Sequence, residues 1–174
     1  LHLDLVRAPK QLDLLLARRI PATRISLGLV DGRNVWCTDL HQAVATVEAA
    51  VRELGKDRVE VAPSCSLLHS PFDLDAEVKL DTEVRSWMAF AKQKLKEVSL
   101  LATAIDGKDA IRQALADNAR VIESRKTSAR IHKRQVEQRL AGADTTMTRR
   151  RSSYPVRHPQ QAKVLSLPLL PTTT

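Results

Sequence analysis

ISLGLV, residues 25–30, is short, almost wholly apolar and followed at once by Asp31-Gly32. Such a run reads as a strand buried on both faces, the habit of a parallel sheet covered on its two sides. Asp-Gly is also a hairpin signal, so a β-hairpin through Arg33–Trp36 competes with that reading. Downstream, with Thr38 or Asp39 as N-cap, Leu40, Ala43, Val44, Val47, Val51 and Leu54 recur at helical spacing until Gly55 supplies the stop. Upstream, Leu1, Leu3 and Leu5 alternate with His2 and Asp4, Pro9 breaks the pattern, and Leu12, Leu15 and Leu16 take up helical spacing. A third cycle has Val59 and Val61 in a strand ending at Pro63, then the loop SCSLLHSP (64–71). One long helix is predicted from about Asp81 to Ile105, with Val84, Trp87, Met88, Ala91, Leu95, Val98 and Ala102 on its apolar face. Three strand–helix cycles predict consecutive βαβ units with parallel strands. Beyond Lys108 the pattern is helical to about Leu140, and from Gly142 it gives way to a Thr-, Arg- and Ser-rich stretch read as linker.

The chain has 174 residues, 43% hydrophobic and 28% charged, which are globular values and argue against a disordered or fibrous protein. No apolar run is long enough to span a bilayer and no secretory leader is recognisable, so neither membrane insertion nor export is expected. Two cysteines suit a reducing cytoplasm. With Leu1 in place of an initiator Met and Pro171–Thr174 at its close, the chain reads as a piece of something longer. The net charge of +8 is concentrated: residues 1–119 hold 16 basic against 17 acidic groups, whereas residues 120–151 hold 10 against 3. That basic stretch permits an alternative function, a small nucleic-acid-binding module, or else a solvated helix face. Trp 2, Tyr 1 and Phe 2 make a poor stacking platform, and Tyr154 alone lies near the stretch, so no nucleic-acid partner is expected.

Candidate chemistry gathers after the third strand, where α/β proteins build their sites. Cys65 stands there with His69 four residues on and Ser64, Ser66 and Ser70 around it. A zinc site needs three or four ligands, and the sequence has no Cys-x-x-Cys, His-x-Cys or His-Glu-x-x-His. A thiol nucleophile at Cys65 needs a positioned base such as His69 or His132, and a buried, inert thiol is the plainer reading. Asp31, Gly32, Arg33 and Asn34 follow the second strand and fit either a functional loop or a Gly-assisted turn. No glycine-rich phosphate loop is present. Residues alone thus give a parallel α/β domain without a complete active site.

Four stretches, SLGLVDGRNVW (26–36), VEVAPSCSLLHSPFDLDAE (59–77), KLDTEVRSWMAFAKQKLKEV (79–98) and LPLLPTTT (167–174), together resemble cobalamin-independent methionine synthase. The resemblance implies the last three βα units of a TIM (β/α)8 barrel, the amino-terminal barrel of that family, followed by a helical linker segment. It divides the chain into barrel (1–106), helical extension (107–141) and linker (142–174) leading to the missing catalytic barrel. The implied function of the parent is methyl transfer from 5-methyltetrahydropteroyl-polyglutamate to homocysteine in methionine biosynthesis, with zinc as cofactor, in the cytoplasm. The resemblance places the zinc ligands beyond Thr174 and the folate contacts before Leu1. No catalytic, substrate-binding or metal residue is therefore expected here, and the fragment is expected to be inactive alone. Its partners would be the missing barrel parts. Cys65 would be a vestigial counterpart of a ligand position in the second barrel. The basic 120–151 stretch would be available to the polyglutamate tail. Cys37, where the family usually has Arg, and His132-Lys133-Arg134, for the more usual His-Asn-Pro, depart from the pattern.

Overall fold

The computed structural model describes residues 1–18, 23–166, 168–170 and 172, so part of the LPLLPTTT motif, namely Leu167, Pro171, Thr173 and Thr174, lies outside the described residues. It forms two compact units, Leu1–Ser128 and Ala129–Thr174. The first is built on a three-stranded sheet, β1 (His2–Asp4), β2 (Ile25–Val30) and β3 (Val59–Pro63), in the order β1-β2-β3. Both pairings are parallel, with Leu3 opposite Leu27 and Ile25 opposite Val59. Parallel neighbours on both sides of β2 dispose of the hairpin alternative. Trp36 instead forms an isolated antiparallel bridge with Met88.

Helices α1 (Gln11–Ala17) and α2 (Leu40–Leu54) follow β1 and β2. Asp39 caps α2 by accepting from the Gln42 amide at 3.1 Å, and Gly55 ends it at φ 80, a conformation that excludes most side chains. Leu3, Ile25, Leu27 and Val59 on one sheet face pack with Leu12, Leu15, Val47 and Ala50 of these helices. A second core joins Val30, Leu40 and Val44 to Leu101, Ile111 and Leu115.

The single helix expected over 81–105 is two, α3 (Thr82–Ser86) and α4 (Ala91–Thr103). Residues 87–90 leave the helix because their backbone serves the loop after β2. The Cys37 amide donates to Trp87 O and the Ala89 amide to Val35 O, each at 2.9 Å. Burial of Trp87, Ala89 and Phe90 fixes this break. The expected apolar face is also rotated: Leu95 is 57% exposed, whereas Lys94, Glu97 and Leu101 point inward.

After a 3-10 turn at Lys108–Ile111, α5 (Arg112–Thr127) packs into the first unit through Leu115. The second unit holds α6 (Arg134–Ala141) and α7 (Tyr154–Leu165). The stretch read as linker from Gly142 thus contains a helix, begun by Pro155 in its first turn, where a missing N–H costs nothing. None of the described residues of this unit is buried.

Candidate functional site

The carboxyl ends of β2 and β3 carry two loops that are stitched together. The Gly32 amide donates to the Ser64 hydroxyl at 3.3 Å, and the Ser70 hydroxyl donates to the carbonyls of Gly32 and Asn34, both at 3.3 Å. Gly32 is required by closeness: a Cβ there would sit 2.8 Å from Cys65 O and 3.0 Å from its Sγ. Asp31 spans its own turn, accepting from the Arg33 amide and the Asn34 side chain, both at 2.8 Å. Asn34 in turn accepts from the Trp36 amide at 3.0 Å. These four residues form an Asx-type turn, as one of the two readings from sequence had it.

Behind this loop lies a polar network that no spacing rule disclosed. Lys94, with no exposed surface, donates to Asn34 Oδ1 at 3.2 Å and to Trp36 O at 3.0 Å. Glu97, one helical turn along, accepts from the Thr38 amide at 2.9 Å and the Thr38 hydroxyl at 2.8 Å. Asn118 of α5 accepts from the Leu40 amide and donates to Thr38 O, both at 2.9 Å. Arg125 stacks 3.9 Å above the Trp36 ring, and Trp87 Nε1 donates to Ser124. Burial is the main cause that pulls the Lys94 ammonium below its ordinary range and pushes the Glu97 carboxyl above its own; each is partly offset by the other's charge. Cys37, facing Met88 O at 3.2 Å, is pushed up to about 11 by burial and then by Glu97. It is a thiol at neutral pH, not a nucleophile.

Cys65 lies in the stitched loop, half-buried and free, with Ser64 Oγ at 3.9 Å and Ser66 O at 3.8 Å from its sulfur. His69 is exposed and shares no bond with it, while His132 pairs with Glu137 at 2.9 Å in the second unit. No group of three His, Cys, Asp or Glu that would hold a metal ion comes together among the described residues. A cleft of about 490 Å³ runs between Leu5, Val6 and Pro9 after β1 and Thr38, Asp39 and Gln42 at the start of α2. It brings no acid–base pair together. Of the basic 120–151 stretch, residues 120–127 lie in α5 of the first unit, where Arg120 pairs with Asp117 and Arg125 covers Trp36.

The far face of the sheet is different in kind. The register sets His2, Ser26 and Glu60 side by side, and Asp4, Gly28 and Ala62 in the next row. His2 and Glu60 are exposed, and no apolar layer covers them. His2 lies across Gly28, with Nδ1 3.0 Å from Ser26 Oγ and Nε2 3.3 Å from Ser64 O.

A family model described as "Cobalamin-independent synthase, N-terminal domain" matches residues 1–55. The chain is 48% identical to a 5-methyltetrahydropteroyltriglutamate–homocysteine methyltransferase of Xylella fastidiosa, over 100% of this chain and 23% of that protein. Similar enzymes of Coxiella burnetii and Caulobacter vibrioides are each 49% identical over the whole chain and 22% of their own length. The chain is similar over its whole length to one segment of these methyltransferases. It spans less than a quarter of the length of these curated relatives. The parallel sheet and the loops at the strands' carboxyl ends fall where the sequence placed them. No helix among the described residues is long and apolar enough to cross a membrane.

Proposed function

We propose that this chain is a structural segment of a cytoplasmic methionine synthase, contributing three βα units to a (β/α)8 barrel in an enzyme that moves a methyl group from a 5-methyltetrahydropteroyl-polyglutamate to homocysteine. The observation that carries the reading is the combination of whole-length identity to such methyltransferases with a parallel sheet covered by helices on one face only. A parallel sheet is stable when both faces are lined, and a barrel lines the inner one with side chains of its other strands. Zinc, which the family implies, finds no donor set here. Cys65 has two serines as its polar neighbours and no second ligand, so this chain's residues do not fit the metal. The chain's contribution is to hold the loops after β2 and β3 in a fixed arrangement, and alone it is inactive.

Two experiments test this. The purified chain should carry no stoichiometric zinc and show no methyl transfer to homocysteine; either result in the positive would sink the claim of silence. A Caulobacter vibrioides relative in which this chain replaces the matching segment should fold and retain methyl transfer. A folded but inactive chimera would remove the assignment to this enzyme.

A further inference from the structure

The loops after the three strands share an asymmetry of charge. In residues 5–10, 31–39 and 64–73 the acidic groups are all engaged: Asp31 by Arg33 N and Asn34, Asp39 by Gln42 N, and Asp73 by Lys92 at 2.7 Å and Gln93 at 2.8 Å. The cationic side chains of the same loops, Arg7, Lys10, Arg33 and His69, have no partner among the described residues. Arg33 is the best placed of them. Its flanking peptides are fixed by Ser64 and Ser70, Gly32 is pressed against Cys65, and both oxygens of Asp31 are occupied by N–H donors, leaving the Arg33 guanidinium exposed.

Two buried charges hold this turn from behind, which is a costly way to fix a loop that only connects a strand to a helix. Lys94 grips Asn34 and Trp36, and Glu97 grips Thr38. We propose that Arg33 anchors an oxyanion site at the carboxyl ends of β2 and β3, with Lys94 and Glu97 as its positioning residues. The ligand carries a carboxylate or a phosphate. A guanidinium meets either group with two parallel N–H bonds, and a loop already fixed loses little freedom on binding. Asp31 does not compete, because its charge faces the Asn34 amide, the Arg33 N–H and, at longer range, Lys94.

The test titrates the isotope-labelled chain with inorganic phosphate and, separately, with a triglutamate peptide, following backbone amide resonances at low and at physiological ionic strength. Only the choice of the second probe rests on the methyl-transfer reading, since triglutamate is the acidic tail in the relatives' name. Shifts confined to residues 31–36 and 64–70 are expected, with Arg33→Met lowering affinity at least about tenfold, the loss of a charged hydrogen-bonded pair. Response to one probe alone identifies the source of the anion. No shift with either probe, shifts centred on 130–151, or equal affinity of Arg33→Met would overturn the site, while the chimera's activity stays an independent result. For positioning, Lys94→Met should weaken binding and speed amide exchange at residues 33–38 more than in β2 and α2. A uniform rise in exchange would show Lys94 to be general core support and remove its assigned role.

Discussion

Replacing Lys94 by Met, Glu97 by Met, and both together measures how the buried polar network is coupled. Lys94→Met deletes the donor to Trp36 O and leaves Glu97 buried without its neighbouring cation. Removing one member of a buried charged arrangement costs about 3–5 kcal/mol. Glu97→Met strands the Thr38 amide and hydroxyl and leaves Lys94 without its principal counter-charge, at a similar cost. In the double variant neither buried charge remains, so the loss should fall short of the sum by about 1–3 kcal/mol. The readout is urea unfolding at sub-micromolar concentration, followed by emission of Trp36, stacked under Arg125, and Trp87, bonded to Ser124. The pH dependence follows from the same groups. Glu97 has its folded pKa raised above the ordinary 4.5, so its contribution is full below that value and declines as pH rises through the folded value. Lys94 has its folded pKa lowered from 10.5, so its contribution is full above that value and is lost as pH falls through the folded one. Ionising either group in its buried place therefore weighs against stability, and Glu97→Met should lose the acid-side slope. Additivity within about 0.5 kcal/mol would refute the coupling.

Cys37, with its thiol near 11, should react with iodoacetamide at pH 7–8 far more slowly in the folded chain than in urea; equal rates would contradict its burial against Met88 O. Gly32→Ala forces a methyl against the carbonyls of Cys65 and Ser66 and should destabilise by about 1–3 kcal/mol in the same urea titration, whereas a neutral result would mean that the two loops part freely. The open edges of β1 and β3 and the uncovered polar face should make the isolated chain self-associate as its concentration rises, without loss of its fold. Sedimentation showing a monomer at every concentration up to that of the isotope-labelled titration would overturn that expectation.

What the sequence disclosed and what it concealed divide along one physical line. Local signals that act alone were legible: Asp39 and Gly55 bound α2 as their cap chemistry requires, and ISLGLV occupies its strand to the residue. The break at 87–90 was not, because Trp87, Met88 and Ala91 continue an apolar periodicity that suits a helix, and only the distant backbone of Val35 and Cys37 draws the chain out of it. The inward turn of Lys94 and Glu97 was hidden for the same reason. A hydrophobic template assigns Leu95 to the core and Lys94 to solvent, yet the groups that Lys94 satisfies belong to a loop some sixty positions earlier. A Lys–Glu pair at i, i+3 reads as a surface ion pair unless the partner loop is known to need donors and an acceptor. Cys65 was placed correctly at a strand's carboxyl end, but its companions there are serines and a glycine.

The polar sheet face separates two architectures that the βαβ pattern alone leaves equivalent. In a doubly wound sheet, helices cover both sides and every strand carries apolar residues on each. Here the covered side has Leu3, Ile25, Leu27 and Val59, while the other has His2, Asp4, Ser26 and Glu60, a set that a helix could bury only at the cost of unpaired polar groups. His2 already bonds sideways to Ser26 and Ser64 O, over a glycine that leaves it room. Side chains that satisfy one another across strands of the same sheet suit the inside of a closed barrel better than a face under a helix. The proposed barrel accounts for this composition, and substitution makes the point testable: in the active chimera, Gly28→Ala, whose Cβ would sit 2.7 Å from Leu3 O and 2.9 Å from His2, should impair folding by crowding the inner face. An unaffected chimera would mean that His2, Leu3 and Ser64 yield to the added methyl and that this face is not close-packed.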